Sequence, residues 1–268
     1  MKVYRNEGTS ATSGRDRAGI LNFPGRVCYF SFRRKKSCLF YGWHSAAVSK
    51  HRKENKESSP RLNFPDDEKK LPWLSLLLEA YAVVDRGVFV AIAEEKRRWN
   101  KRLACRKGCD SCCRTHADIP VYPLELVGIY WFVSEKMADP LREVLRGRLS
   151  ENRDGNECPF LVNDSCSVHL IRPVSCRQFN VFGNPCGEGE DPYYTRRSDV
   201  LTPIQGYTNK AFSTVLPFYG IAEGEGQAQA VNRIIHTQAV NLQTYDWKRL
   251  VGVMNNLDSE KRRIAGQK

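Results

Sequence analysis

Eight of the chain's 10 cysteines fall between Cys105 and Cys186, and this clustering constrains the fold more than any other feature of the 268 residues. The first group, CRKGCDSCC, holds Cys105, Cys109, Cys112 and Cys113; the second holds Cys158, Cys166, Cys176 and Cys186. Thiolates two or three residues apart converge on one ion without closing a long loop, and zinc takes four such donors in a tetrahedron. Gly108 supplies the turn that brings Cys105 towards Cys109. Iron–sulfur centres use the same ligand chemistry, so spacing leaves zinc, iron and a 4Fe-4S cluster all open. Eight donors fill two four-cysteine sites, or one cubane cluster and a second site.

A lone cysteine is more often a buried apolar side chain than a ligand. Eight so close together, in a chain whose N-terminus lacks the succession of a secretory signal, favour metal over buried thiols or a disulfide framework. The expected compartment is the reducing cytoplasm. No run of about 18 apolar residues suits a membrane span. On an extended backbone neighbouring side chains point to opposite sides. Cys112 and Cys113 are therefore expected to serve two centres, or one is a ligand and the other is packed or reactive. A cation such as Arg114 beside the pair would lower a thiol's pKa.

The net charge of +12 suggests nucleic acid until it is located. Residues 1–72 carry 16 Lys and Arg against 7 Asp and Glu, whereas the rest of the chain carries 26 against 23. A binder is expected to be basic on its folded domain too, so nucleic acid is expected only through the tail. Residues 1–70, rich in Ser, Gly, Lys and Arg without a sustained period, are expected to be a disordered basic tail, and 71–268 a single cysteine-cluster domain. Within the tail, Val27–Trp43 mixes aromatic rings with cations, a pattern that suits nucleic acid or an anionic membrane surface, or an extension without a role. Cys28 and Cys38 lie there, far from the other eight, and are not expected to be ligands.

Pro72 suits the first turn of a helix, and Leu74, Leu78, Tyr81, Val84, Val88 and Ile92 follow with helical spacing. Lys96, Arg97 and Arg98 close that helix with cations where the dipole favours them. A second helix is expected from Pro123 through Trp131, and a third from Pro140 with Leu141, Val144 and Leu145 on one face. Further helical patterns occur at Val231, Ile234 and Ile235 and at Trp247, Leu250 and Val251. From Glu151 to Pro192, Cys, Pro, Gly and Asn dominate. Turns and short extended pieces are expected there, with too few regularly spaced apolar residues for a core of their own. The fold class is mainly α, with helices packed around an irregular, cysteine-rich metal-binding centre.

Several thiolates on one metal leave net negative charge, and Arg172 and Arg177, bracketing Cys176, are expected to offset it by hydrogen bonds to sulfur. Arg106 and Lys107 divide evenly between that role and an ordinary cationic surface. His116 and His169 each follow a cysteine by three residues; either can ligate through a ring nitrogen, but packing or hydrogen bonding is the more common use. Glu125 is expected to be a helix-start carboxylate rather than part of a site.

CRKGCDSCCRTHADIPVYPLE, followed by CPFLVNDSCSVHLIRPVSCRQF, resembles the YkgJ-type cysteine-cluster family, a zinc- or iron-chelating domain by description. That family is known by a CxxCxxCC-like group, a Cys-Pro-Phe-Leu element and a Cys-x-Ile-Tyr-x-x-Arg-Pro-x-x-Cys-Arg element. The resemblance covers roughly Cys105 to Phe182. It implies that Cys105, Cys109, Cys112, Cys113, Cys158, Cys166 and Cys176 are metal ligands, with Cys186 an eighth on weaker grounds. The chain departs from the pattern in its first gap of three residues rather than two, and in His169 where Tyr is expected. The implied function is metal chelation by a cysteine-cluster protein. One alternative is an iron–sulfur enzyme modifying protein side chains, since a flagellin lysine methylase has a similar cluster. Another is a zinc-stabilised nucleic-acid binder. A dinucleotide fingerprint, a P-loop and a Gly-x-Ser-x-Gly elbow are all missing from the sequence.

Overall fold

The computed structural model describes residues 60–151, 157–222 and 231–267, and the backbone of 20–23 and 26–29. Those last eight residues pair as an antiparallel hairpin, β1 (Ile20–Phe23) with β2 (Arg26–Tyr29), in a unit of its own that ends at Arg52. The rest of the expected tail up to residue 59, including Val27–Trp43 beyond the hairpin, lies outside the described residues.

In chain order the second unit contains α1 (Pro65–Lys70), α2 (Pro72–Trp99), α3 (Ser111–Thr115), β3 (Pro120–Val121), α4 (Pro123–Trp131) and α5 (Leu141–Ser150). Then follow β4 (Leu161–Val162), β5 (Ser165–Cys166), α6 (Val174–Gln178), α7 (Pro192–Thr195), α8 (Gln205–Val215), β6 (Val240–Asn241) and α9 (Lys248–Ala265). The architecture is mostly helical, as the sequence predicts.

The fold reaches N-terminal of Pro72, which periodicity alone does not reveal. Arg61 donates to Glu68 Oε2 at 2.8 Å, Glu68 also accepts from Ser75 and from the Phe64 N–H, and Phe64 stacks edge-on against Trp131 at 5.1 Å. These contacts fix α1 through side chains rather than through an apolar stripe.

Helix α2 is the spine. Leu74, Leu77, Leu78, Tyr81, Val84 and Ala91 form its buried stripe, the 3.6-residue period read from the sequence. It stops at Asn100, whose φ of 50° is left-handed, a conformation Asn tolerates better than most residues. Two glycines let other helices approach closely. A Cβ on Gly128 of α4 would lie 2.3 Å from Leu77 Cδ2, and one on Gly87 would lie 2.6 Å from Tyr207 Cβ of α8. Helix α4 begins at Pro123 as expected and is buried along its whole length.

The third helix forms, but it turns a different face inward. Leu141 and Val144 are exposed, whereas Arg142, Leu145 and Leu149 are buried. The cause is a long-range ion pair: Arg142 binds Asp258 of α9 through two hydrogen bonds of 3.0 and 2.9 Å. Around Val231–Ile235 the chain makes a single wide π-helical turn rather than a regular helix, while Leu250, Met254 and Leu257 form the buried stripe of α9.

Between Glu157 and Pro192 the elements are short, as predicted. Asn163 and Asp164, with φ of 49° and 55°, make the two-residue turn joining β4 to β5, a conformation in which Asn and Asp are favoured. Its apolar residues enter the core that the helices build rather than one of their own. Phe160, Leu161, Val168, Ile171, Val174, Val181 and Phe182 are all buried. Irregular backbone places them in the interior without any period.

Candidate metal centre

All eight clustered cysteines are free thiols, ranging from buried Cys158 to exposed Cys109. Cys105 lies past the end of α2 and accepts a hydrogen bond from the Val181 N–H at 3.3 Å. Gly108, with φ of 82°, turns the chain between Cys105 and Cys109. Cys112 and Cys113 sit on α3, Cys166 on β5 and Cys176 on α6; Cys158 precedes β4 and Cys186 lies in the loop before α7. The two groups are joined directly, because the Cys158 N–H donates to the Cys113 carbonyl at 2.6 Å.

The vicinal pair lies on a helix, not an extended strand, which removes the premise that its side chains must point apart. The Cys112 thiol bonds with Cys113, which together with burial and the neighbouring thiols pushes its pKa far up. At Cys113 the bond with Cys112 acts downward, but bonds with Cys158 and Cys166 and burial outweigh it and push this thiol up as well. Cys166 is held below its ordinary value by its bond with Cys113. Burial, then the charges of Cys112 and Cys166, push Cys176 up. Cys105 and Cys186 are raised by burial, and each senses Cys109; Cys105 also senses Cys112.

These interactions form one connected set. At one end are Cys113, Cys158 and Cys166, at the other Cys105, Cys109 and Cys186, and Cys112 interacts with members of both. Among the described residues, no three His, Cys, Asp or Glu side chains close around a point where an ion would sit. The donor set nevertheless suits a thiophilic metal. Burial opposes the ionisation of Cys105, Cys176 and Cys186, and a cation is what relieves that opposition.

Of the cations expected to hydrogen-bond to sulfur, Arg172 acts on the thiols through its charge. The charge of Arg172 acts downward on the pKa values of Cys105, Cys166 and Cys176. Arg177 is instead spent elsewhere. It pairs with Asp85 of α2 at 2.7 Å, donates to the Arg172 and Leu170 carbonyls and stacks 3.9 Å from the Tyr81 ring centroid. Its effect is on the loop that carries Arg172. Arg114 does not activate the vicinal pair either; it is held by Asp110 at 2.6 Å, by Glu157 at 2.8 Å and by Asp164. Arg106 and Lys107 are exposed and make no ion pair among the described residues.

His116 and His169 have partners other than the thiols. His116 lies 3.1 Å from Asp191 and edge-on to Phe179 at 4.0 Å, with its pKa lowered by burial. His169 Nε2 sits 2.8 Å from an Arg172 guanidinium nitrogen and steadies that cation. Glu125 is a helix-start carboxylate, as expected, and more. It accepts from the Tyr122 N–H at 3.0 Å and from the Val174 N–H at 2.7 Å, tying the start of α4 to the start of α6, and burial pushes its pKa up to about 7. Sequence reasoning missed Arg148, which donates to Glu157 and to the Cys158 carbonyl, and Asp85. No local pattern marks either one, because Asp85 lies 92 residues from its partner.

Residues 104–199 match the profile of the CxxCxxCC family, described as "putative zinc- or iron-chelating domain". The match covers that part of the chain and reaches 17 residues further than the resemblance read from the motifs, which ended at Phe182. No curated protein and no solved structure matches the chain.

Proposed function

We propose that this protein binds zinc or iron through Cys105, Cys109, Cys112, Cys113, Cys158, Cys166, Cys176 and Cys186, with Cys112 shared between the two ends of one sulfur cluster. The observation that supports this reading is the place of Cys112 on α3 beside Cys113, whose carbonyl accepts from the Cys158 N–H at 2.6 Å and so joins the two cysteine groups. Deprotonation accompanies binding, so metal uptake releases protons. Zinc would cross-link the irregular segments, and an iron–sulfur centre would add electron transfer. Arg172, steadied by His169, offsets the negative charge of the thiolates, and a reducing compartment such as the cytoplasm keeps them available.

The test is metal analysis of protein purified without oxygen. Cys112→Ser is expected to lose metal from both ends, more than half of the wild-type content, whereas Cys186→Ser at the rim affects one end only. Wild-type metal content in Cys112→Ser would sink the shared-thiol reading. A brown solution absorbing near about 400 nm identifies iron–sulfur, and a colourless one with stoichiometric zinc identifies the alternative.

A further inference from the structure

From Lys96 to Lys107 the chain carries seven Lys and Arg residues and no Asp or Glu. Only Lys101 is paired, with Glu95 at 3.0 Å and with the Ser198 carbonyl at 2.7 Å. Lys96, Arg97, Arg98, Arg102, Arg106 and Lys107 are exposed and have no ion-pair partner among the described residues. The α2 dipole accounts for the first three. It does not account for the other three, which follow the helix, or for Trp99, a large ring 69% exposed in their midst.

A second, aromatic segment is joined to this one; its acids Glu190 and Asp199 are paired with Arg196. Lys101 bonds to Ser198, the Gly183 N–H donates to the Arg102 carbonyl at 2.8 Å, and the Phe182 N–H donates to the Asp199 carbonyl at 2.8 Å. Close by in sequence, α7 presents Tyr193 at 50% and Tyr194 at 78% exposure, with Arg197 stacked 5.2 Å from the Tyr193 centroid. Near neutrality of the domain as a whole therefore conceals a cationic stretch, Lys96 to Lys107, that carries one bare ring and adjoins two more.

We infer that this face binds single-stranded nucleic acid, with the arginines and lysines on phosphates and Trp99 and Tyr194 stacking on bases. The chemistry favours this partner over an anionic membrane. A membrane-binding face segregates apolar from charged residues along a helix, whereas here the exposed Trp99 ring is flanked on both sides by Arg97, Arg98, Lys101 and Arg102. Flat rings flanked by unpaired cations are the surface that single strands use. The inference stands on residues outside the thiol cluster, with the exception of Arg106 and Lys107, and does not depend on metal.

The experiment uses the full chain, a fluorescent single-stranded 20-mer of mixed sequence, and vesicles of phosphatidylserine and phosphatidylcholine as the competing arm. Arg97→Glu with Arg98→Glu, and separately Trp99→Ala, alter exposed side chains; unchanged circular dichroism and metal content verify the fold. The charge-reversed variant is expected to bind at least tenfold more weakly. Its plot of log affinity against log salt should be shallower by about 1.4, at about 0.7 for each single-strand phosphate no longer neutralised. Trp99→Ala is expected to lose about fivefold or more with the salt slope unchanged, as removal of a stacking ring does. Equal binding by wild type and both variants would assign any affinity to the basic residues before Pro72 and overturn the inference. Binding to vesicles but not to the oligonucleotide would overturn it as well.

Discussion

Along α2 and α4, apolar side chains recur every three or four residues and bury a continuous stripe, so the backbone satisfies itself and the side chains need only pack. Between Glu157 and Leu201 burial is just as deep, yet no element exceeds five residues, and the backbone is held by side chains reaching from elsewhere. Arg148 grips the Cys158 carbonyl, Arg177 grips those of Leu170 and Arg172, and Glu125 grips the Val174 N–H. The helical frame is specified locally and the cysteine-bearing stretch by contacts distant in sequence. A ligand can reorganise the second kind of structure without unfolding the first.

The strongest challenge to this contrast is to remove an apolar anchor from the irregular half. Phe160 is fully buried and stacks edge-on against Trp247 at 4.6 Å, next to the start of α9. Phe160→Ala is expected to cost about 3–5 kcal/mol. Urea unfolding followed by fluorescence and by circular dichroism should shift together, because the two halves share one core. Separate transitions would mean that the halves fold independently.

Next in size is the pin between the halves. Arg177→Met leaves Asp85 without its partner and frees two carbonyls, at a cost of about 3 kcal/mol. If the pin acts on the site as well, this variant also loses metal affinity, while Leu78→Ala in the frame destabilises without that loss. Equal metal affinity in both variants would show that the pin serves stability alone.

Chelation in reducing buffer should lower the melting temperature by several degrees, following the roughly 2.7 kcal/mol that a ligand at a hundredfold its dissociation constant supplies. Far-UV circular dichroism at room temperature should retain the signal of the frame. An apoprotein without helical signal would reverse the relation, making the centre the support and the helices the dependants.

The smallest effect is one of pH. Glu125 titrates near 4.5 when unfolded and near 7 when folded, so the folded protein binds this proton more tightly. Its contribution to stability is present below about 4.5 and is lost as pH rises to about 7. Glu68 and Asp258, both held near 2 by arginines, act in the opposite sense and lose their contribution as pH falls below about 4. Glu125→Gln should flatten the stability curve between about 4.5 and 7 and leave its acid limb alone. A slope that persists in the variant belongs to another group.

How much of this was legible in the sequence follows from the same division. Pro72, Pro123, the α2 stripe and the Trp247–Leu250 pattern mark helices whose causes are local, and the cysteine motifs mark where the thiols gather. The inward turn of Arg142 was not legible, because its cause is Asp258 on another helix. Nor was the Cys112–Cys113 bond, since it depends on a five-residue helix that nothing in CRKGCDSCC announces. Arg177 and Arg114 were read as neighbours of cysteine in sequence. In space their partners are carboxylates and carbonyls, some from the neighbouring turn and others, Asp85, Glu157 and Asp164, from distant parts of the chain.

The hydrogen bond from Cys158 to Cys113 also sets a timetable. The chain leaves the ribosome at about 5–20 residues per second, so the 45 residues between these cysteines take about 2–9 s to appear. Through that interval the first four thiols exist without the second four, able to seize an ion but not to surround it. Faithful loading then depends on delivering metal after the chain has closed, or on a first occupant held loosely enough to be exchanged when the remaining sulfurs arrive.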